Sequence, residues 1–315
     1  MAERYHTAVI GAGAAGLTVA VGLAKFGKRV ALIERGHVGG DCTNVGCVPS
    51  KTLIYLADHL HTYGLSPAEV LARVQDKRDS LREEETTWVK DIENLTFIEG
   101  EASVAAKGRL KLTLSTGETH ELEAKNLVLA TGSRPVTLAI DGLPGARTLT
   151  NESLFELSKL PEHLAIIGAG IIGSEMAFAF RKLGSRVTLI DVAPRVLGTL
   201  EPEVSELIQE ALCERHIDLK LGAKALRYDE TTGTLQLEQG GQDLTLEGVD
   251  KVLLALGRKP NIEGLGLERL GLSYDKRGIP TSRAHQTNIA GVYALGDLDP
   301  ISAFTHSANA QGRRV

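Results

Sequence analysis

One glycine pattern occurs twice in this chain, each time in the same surroundings. In the first copy a strand-like run, Thr7 to Ile10, leads into Gly11, Gly13 and Gly16. A helical stretch to about Phe26 follows, and then a second strand-like run, Arg29 to Ile33, ends at Glu34. In the second, Leu164 to Ile167 leads into Gly168, Gly170 and Gly173, the helical Ser174 to Leu183, and Arg186 to Ile190 ending at Asp191. The spacing from first glycine to terminal acid is the same, 11 to 34 and 168 to 191. In a strand–turn–helix frame, G-x-G-x-x-G lets a pyrophosphate approach a helix N-terminus, and the acid ending the next strand takes a ribose hydroxyl pair. Two copies make an internal repeat and imply two nucleotide-binding α/β domains, each with its own dinucleotide. At the second, Asp191 would bond a free ribose 2′-OH and repel a 2′-phosphate, with Val192 rather than an arginine beside it. That favours NAD, while Arg186 and Arg195 leave NADP open.

Between the copies lies Gly39 to Lys51, which carries Cys42 and Cys47 among Gly39, Gly40 and Gly46, with Pro49 to fix a bend. The glycines let backbone come close to something flat. A disulfide across so short a loop constrains the unfolded chain little, so it suits reversible exchange better than stapling. Exchange runs through a thiolate, which a nearby cation and a helix start favour; Lys51 and the expected start at Pro49-Ser50, leading into Thr52 to His61, supply both. Two unlinked thiols or half of a zinc site are the other readings. Zinc would want further ligands, yet Cys213 stands alone, and His59 and His61 point away from each other on a helix, so no metal site is expected.

With 315 residues there is room for two domains with sizeable cores. The 34 glycines exceed the usual ~7% share and gather at the sites above. A net charge of −5 argues against nucleic acid. The apolar run Ala8 to Ala24 lacks a basic leader and belongs to the first glycine unit, and no stretch is long enough to span a membrane. Three cysteines form no structural framework, which fits a reducing cytoplasm.

The remaining elements follow from pattern. Ser66 to Ile92 reads as a charged helix whose solvated face includes Arg78 and for which Trp88 supplies packing, and Cys213 reads as a buried side chain on the helix Val204 to Arg215. Leu95 to Ile98, Arg109 to Leu114 and Glu118 to Leu122 suggest a small antiparallel meander. Leu127 to Ala130 reads as a buried strand closed by Thr131 to Pro135. Further strands are expected at Ile217 to Leu221, Leu235 to Glu238, Leu244 to Leu246, Lys251 to Leu256 and Val292 to Leu295, the last ending in Gly296-Asp297.

So assembled, the chain resembles the class I pyridine nucleotide-disulfide oxidoreductases, which include lipoamide dehydrogenase, glutathione reductase and mercuric reductase. The resemblance spans essentially all residues, and the wording of Gly39 to Lys51 is nearest the mercuric reductase and lipoamide dehydrogenase branch. It implies an α/β fold of two Rossmann-like FAD/NAD(P)-binding domains, the second inserted in the first, with a small antiparallel β-meander in each: FAD over 1–148 and 278–315, NAD over 149–277. Gly11, Gly13, Gly16, Glu34, Gly40, Lys51 and Asp297 would hold FAD, with Gly132 beside it and backbone near Ala102 and Thr305 touching it. Gly168, Gly170, Gly173, Glu175 and Asp191, with Gly257 and Arg258 nearby, would hold the nicotinamide nucleotide. Cys47 matches the flavin-facing sulfur that forms a charge-transfer thiolate, Cys42 the sulfur that attacks substrate, and Lys51 and Glu175 an ion pair beside the flavin.

The implied activity passes electrons between NAD(P)H and a disulfide, dithiol or quinone-type acceptor through FAD and Cys42-Cys47. The alternative is a truncated flavin-binding module with only diaphorase-type activity. A peroxide- or oxygen-reducing flavoenzyme would usually need one active cysteine, and the thioredoxin reductase type carries its pair in the second nucleotide domain; neither fits. The family continues into a third domain that forms the dimer and supplies a His-Glu pair, whereas this sequence stops at Arg313-Arg314-Val315, directly after the expected helix Ala303 to Gln311, and His306 is not at that acid-base position. A full-length homodimer and a chain free to be monomeric are the corresponding expectations. The substrate-choosing residues would lie mostly in that third domain.

Overall fold

The computed structural model describes residues 3–301 and 303–315; residues 1–2 and 302, included in the expected domain ranges, lie outside the described residues. Contacts divide the chain into two compact units: Met1–Cys47 with Arg78–Arg134 and Lys259–Val315, and Val48–Lys77 with Pro135–Arg258. The described helices are α1 (Ala14–Lys25), α2 (Gly40–Asn44), α3 (Cys47–Asp58), α4 (Leu60–Tyr63), α5 (Pro67–Lys90), α6 (Asn151–Leu154), α7 (Ile171–Leu183), α8 (Pro202–Glu214) and α9 (Thr305–Gly312).

The first unit is built on one sheet. Its strands β1 (Glu3–Ile10) and β2 (Val30–Glu34) run parallel, with Val9 opposite Leu32, and β3 (Leu95–Ala106) continues parallel beyond β2. On the other side of β1 lies β5 (Thr119–Leu129), followed by the parallel strand Val292–Ala294. β4 (Arg109–Leu114) joins β3 to β5 in antiparallel fashion. Because side chains alternate across a strand, both faces of this sheet need cover. Val9, Val30, Leu32 and Val128 pack against Ala15, Val19 and Ala20 of α1. Ala8, Ile10, Ile33 and Leu129 pack against Val104, Leu110, Leu112 and Leu122, the antiparallel part. Each fully buried Leu or Ile here contributes about 1.5–3 kcal/mol.

The second unit repeats the plan. A five-stranded parallel sheet runs in the order Asp218–Leu221, Arg186–Asp191, His163–Ile167, Lys251–Leu254, Thr148–Leu149. Leu164, Ile166, Val187 and Leu189 meet Met176, Ala177 and Phe180 of α7. Ala165, Ile167, Ile190 and Val252 meet Tyr228, Leu235 and Leu237 of the antiparallel sheet Ala223–Asp229, Thr234–Gln239, Gln242–Leu246.

Several expectations change. The strands expected as a separate meander in the first unit belong to a sheet of longer strands: Leu95 to Ile98 opens β3, which pairs with β2 through Glu99 and with β4 from Gly100 onward, while β5 joins Thr119 to Leu122 with Leu127 to Leu129. In β5 the halves differ in burial, Thr119 to Glu121 exposed and Leu127 to Leu129 buried in succession, so pattern alone reads them as different elements. Ala223–Asp229 was not expected, because Lys224 and Arg227 occupy its outer face and a bulge between Ala225 and Arg227 breaks the alternation. Cys213 is exposed rather than buried, with Leu212 at 0% exposure taking the inward position. On α5, Trp88 is 49% exposed and Val89 packs instead; Arg78, expected on the solvated face, is buried and bonded to Asp79.

Candidate functional site

Local geometry at the two glycine turns is nearly superimposable in kind. Gly11 has φ +104°, and a Cβ there would meet Ala130 O at 2.2 Å; Gly168 has φ +111°, and a Cβ would meet Ala255 O at 2.3 Å. The third glycines let helix and strand close up, since a Cβ on Gly16 or Gly173 would fall 1.9 or 1.8 Å from Gly11 O or Gly168 O. The second glycines, Gly13 and Gly170, are the N-caps of α1 and α7, with no side-chain cap and no acid in either first turn. Free N–H groups and the positive helix end are thus open to an anion at both places.

Each terminal acid is tied to its own turn. Glu34 accepts the Ala12 N–H at 2.7 Å and the Gly36 N–H at 2.7 Å; Asp191 accepts the Ala169 N–H at 2.6 Å and the Ala193 N–H at 2.8 Å. A carboxylate offers about four lone-pair sites, so both acids keep capacity for ribose hydroxyls. A cavity of about 260 Å³ opens at the ends of β1 and β2, lined by Gly11, Glu34, Ala102, Thr131, Asn261 and Glu263 among others. Its lining of glycine, a carboxylate and the apolar Ala102 is chemically compatible with the adenosine end of a dinucleotide. Arg186 lies at the opposite end of its strand from Asp191 and bonds Glu247 O and His163, which removes it as a reader of a 2′-phosphate. Arg195 bonds Gly198 O.

The cysteine stretch folds onto the first turn. Gly39 N–H donates to Ala12 O at 2.9 Å, and Gly40, at φ +58°, sits so near Gly13 that a Cβ would come within 2.7 Å of its Cα. Asn44 ties the loop internally through Val38 O (2.9 Å) and Gly40 O (2.8 Å) and accepts from Arg82 Nε at 2.6 Å. Cys42 lies on α2, and α3 begins at Cys47, ahead of the expected start, with Pro49 inside its first turn, where the missing N–H costs nothing. Both are free thiols in hydrogen-bond contact. Burial first, then the bond to Cys47 and its charge, push the Cys42 thiol up to about 11; Thr305 pulls down, and Glu85 adds to the rise. Thr305, the first residue of α9, also faces Cys47 Sγ at 3.8 Å.

The other expected positions fall as follows. Lys51 on α3 forms the expected ion pair with Glu175 on α7, within the second unit. Asp297 occupies the turn after Val292–Ala294 and accepts from Ser133 Oγ. Gly132, at φ +66°, offers its carbonyl to Asn261 N–H at 2.9 Å. In the second unit Gly257, at φ +96°, accepts from Val136 N–H, and Arg258 bonds Asn151 Oδ1 at 3.2 Å. Sequence reasoning missed Asn261, which exchanges bonds with Thr131 (2.7 and 2.9 Å), and Glu85, which accepts from Thr43. Asn261 ends the run Gly257-Arg258-Lys259-Pro260-Asn261 that follows the expected strand Lys251 to Leu256, a signal that could have drawn notice. Among the described residues there is no metal-ligand cluster, and no helix is long and apolar enough to cross a membrane.

Two nucleotide-type turns, an uncapped helix end beside each, and a thiol pair folded against the first define a flavin-dependent dithiol–disulfide oxidoreductase class. The chain belongs to the pyridine nucleotide-disulphide oxidoreductase family, whose profile matches residues 5–312. It is 34% identical to a dihydrolipoyl dehydrogenase 3 of Pseudomonas aeruginosa, over 99% of this chain and 70% of that protein. It is also 34% identical to a mercuric reductase of Staphylococcus aureus, over 98% of this chain and 58% of that protein. The solved Cu(II) complex of the HOCl-induced flavoprotein disulfide reductase RclA from Escherichia coli superposes with a TM-score of 0.90 at 29% identity, covering 99% of this chain and 70% of that one. Relatives in this family are flavoprotein, NAD(P)H-dependent disulfide oxidoreductases, and the chain is an enzyme of that kind.

Proposed function

We propose that the chain passes electron pairs between NADH and a small disulfide or dithiol through the Cys42–Cys47 pair. The contact between the two sulfurs, on a loop folded against the first glycine turn, is the observation that carries this reading. Gly11, Gly13, Gly16, Glu34, Gly40, Ala102, Gly132 and Asp297 would hold FAD; Gly168, Gly170, Gly173 and Asp191, with Gly257 and Arg258, would hold NADH. Bound FAD would supply two-electron exchange between the nicotinamide and the sulfurs.

The sulfur chemistry belongs to the chain itself. With both cysteines reduced, Cys42 loses its proton and its sulfur attacks one sulfur of the substrate disulfide. The substrate S–S bond breaks, and one half leaves as a thiolate that takes up a proton. Cys47 then attacks Cys42, forming the intramolecular disulfide and releasing the second half. Two electrons leave the pair and reduce one substrate disulfide to two thiols. Thr305 is proposed to orient the sulfurs rather than to hold cofactor only, because its hydroxyl acts on both. The Lys51–Glu175 pair is assigned its electrostatic role beside the reduced cofactor on the family pattern.

Relatives' names point to dithiol, mercuric and copper chemistry; for this chain a disulfide or dithiol is proposed, with quinone-type acceptors as side acceptors. A cytoplasmic setting suits an exchange pair kept as thiols. Anaerobic titration of the flavin-loaded chain with NADH tests the reading. A long-wavelength band at two electrons per flavin is expected; plain bleaching without it overturns the role of the pair.

A further inference from the structure

Beyond its sulfurs, the face around Cys42 carries charge that the reaction itself does not call for. Glu85, half-buried on α5, reaches the loop that holds the thiols: its Oε2 accepts from Thr43 Oγ1 at 3.0 Å, and Thr43 follows Cys42 directly on α2. Room for the carboxylate is made by Gly39, where a Cβ would lie 2.2 Å from Glu85 Oε2 and 2.4 Å from Thr43 Oγ1. A side chain at position 39 would therefore expel the acid. Arg82, three residues before Glu85 on α5, is turned to Asn44 and Asp79, and Glu85 forms no ion pair among the described residues.

We propose that Glu85 makes the substrate-facing sulfur selective for cationic and neutral disulfides against anionic ones. The proposal rests on the electron-relay reading above and names the substrate class of the same site. A half-buried negative charge is screened less than a surface one, so it acts on the charge of a disulfide as that molecule approaches Cys42. Its hydrogen bond to Thr43 holds it in place. Consistent with its closeness, Glu85 is one of the groups that hold the Cys42 thiol protonated. Anionic disulfides would add a second negative charge to the approach, whereas a cationic disulfide would neutralise the one already there.

The experiment follows single-turnover exchange of the reduced chain, in a Cys213→Ser background that removes the unrelated exposed thiol. Three dialkyl disulfides serve as probes: cystamine (cationic), bis(hydroxyethyl) disulfide (neutral) and dithiodiglycolate (anionic). Each probe forms a mixed disulfide with Cys42 and releases one thiolate; Cys47 then closes the intramolecular disulfide and releases the second. Mass spectrometry of rapidly quenched samples reads the Cys42 adduct. Glu85→Gln, which keeps an acceptor for Thr43, should lower the cystamine to dithiodiglycolate rate ratio about fivefold at low salt, and added salt should lower the wild-type ratio toward the variant's. Thr43→Val, which removes the hydrogen bond and keeps the charge, should hold most of the wild-type ratio. An unchanged ratio in Glu85→Gln, with Cys42 still reactive, overturns the selectivity and leaves the relay standing. An equal drop in Thr43→Val and Glu85→Gln assigns the effect to loop position and also overturns it. A Cys42 that takes none of the three probes overturns the relay and the selectivity with it.

Discussion

Lys51 on α3 and Glu175 on α7, 124 residues apart in sequence, form an ion pair inside one compact unit. Their side chains remain 59% and 34% exposed, so solvent screens the pair and it stabilises the fold by no more than about 1 kcal/mol. Lys51→Met should therefore shift the urea unfolding midpoint little while slowing NADH-driven reduction of the thiols at least tenfold. A stability loss of several kcal/mol with unaltered reduction would assign the pair to structure alone.

The two glycine turns should fail independently. Gly16→Ala places a methyl against Gly11 O and should cost the chain its flavin, read as the absorbance ratio of the purified protein, while NADH binding persists. Gly173→Ala should reverse that pattern: flavin retained, and the NADH dissociation constant raised at least tenfold by calorimetry. Loss of both ligands in both variants would contradict separate sites.

With Arg186 occupied by Glu247 and His163, Asp191 is left as the main discriminator between nucleotides. Asp191→Ser should raise the NADPH to NADH ratio of kcat/KM about tenfold, a change of about 1.4 kcal/mol. No change in that ratio would remove Asp191 from the role.

The raised Cys42 thiol has a direct chemical consequence. Its folded value, about 11, lies above that of an ordinary thiol, so it stays protonated as pH rises through the range where free thiols ionise, and becomes thiolate only on approaching the higher value. Iodoacetamide should modify Cys42 about tenfold more slowly than a free thiol near pH 8, the smaller thiolate fraction outweighing its greater nucleophilicity. Peptide mapping across pH checks this, and a Cys42 rate that levels off near pH 9 would contradict the burial argument.

Much of the site was legible because its chemistry is written locally. A strand, a glycine turn, a helix and a terminal acid occupy one continuous stretch, and the bonds Glu34–Ala12 and Asp191–Ala169 join residues 22 positions apart in each copy. The thiol pair and Lys51 lie within thirteen residues as well. Resemblance added Glu175, Asp297 and Thr305, which local pattern could not connect to them. Burial on outer faces was less legible: Cys213, Trp88 and Arg78 each lie opposite to expectation, because one helix position decides whether a side chain faces core or solvent.

The sequence by itself determined the repeated nucleotide unit, the identity of the sulfur pair and the class of chemistry, since each depends on residue type at short spacing. Only the tertiary structure decided that β3 and β5 are single strands serving two sheet environments, that Asn261 closes on Thr131, that Thr305 faces Cys47 and that Glu85 bonds Thr43, the residue after Cys42. Those relations join residues distant along the chain. They exist only once burial of both sheet faces has fixed the register, and no local periodicity encodes which distant side chain then arrives.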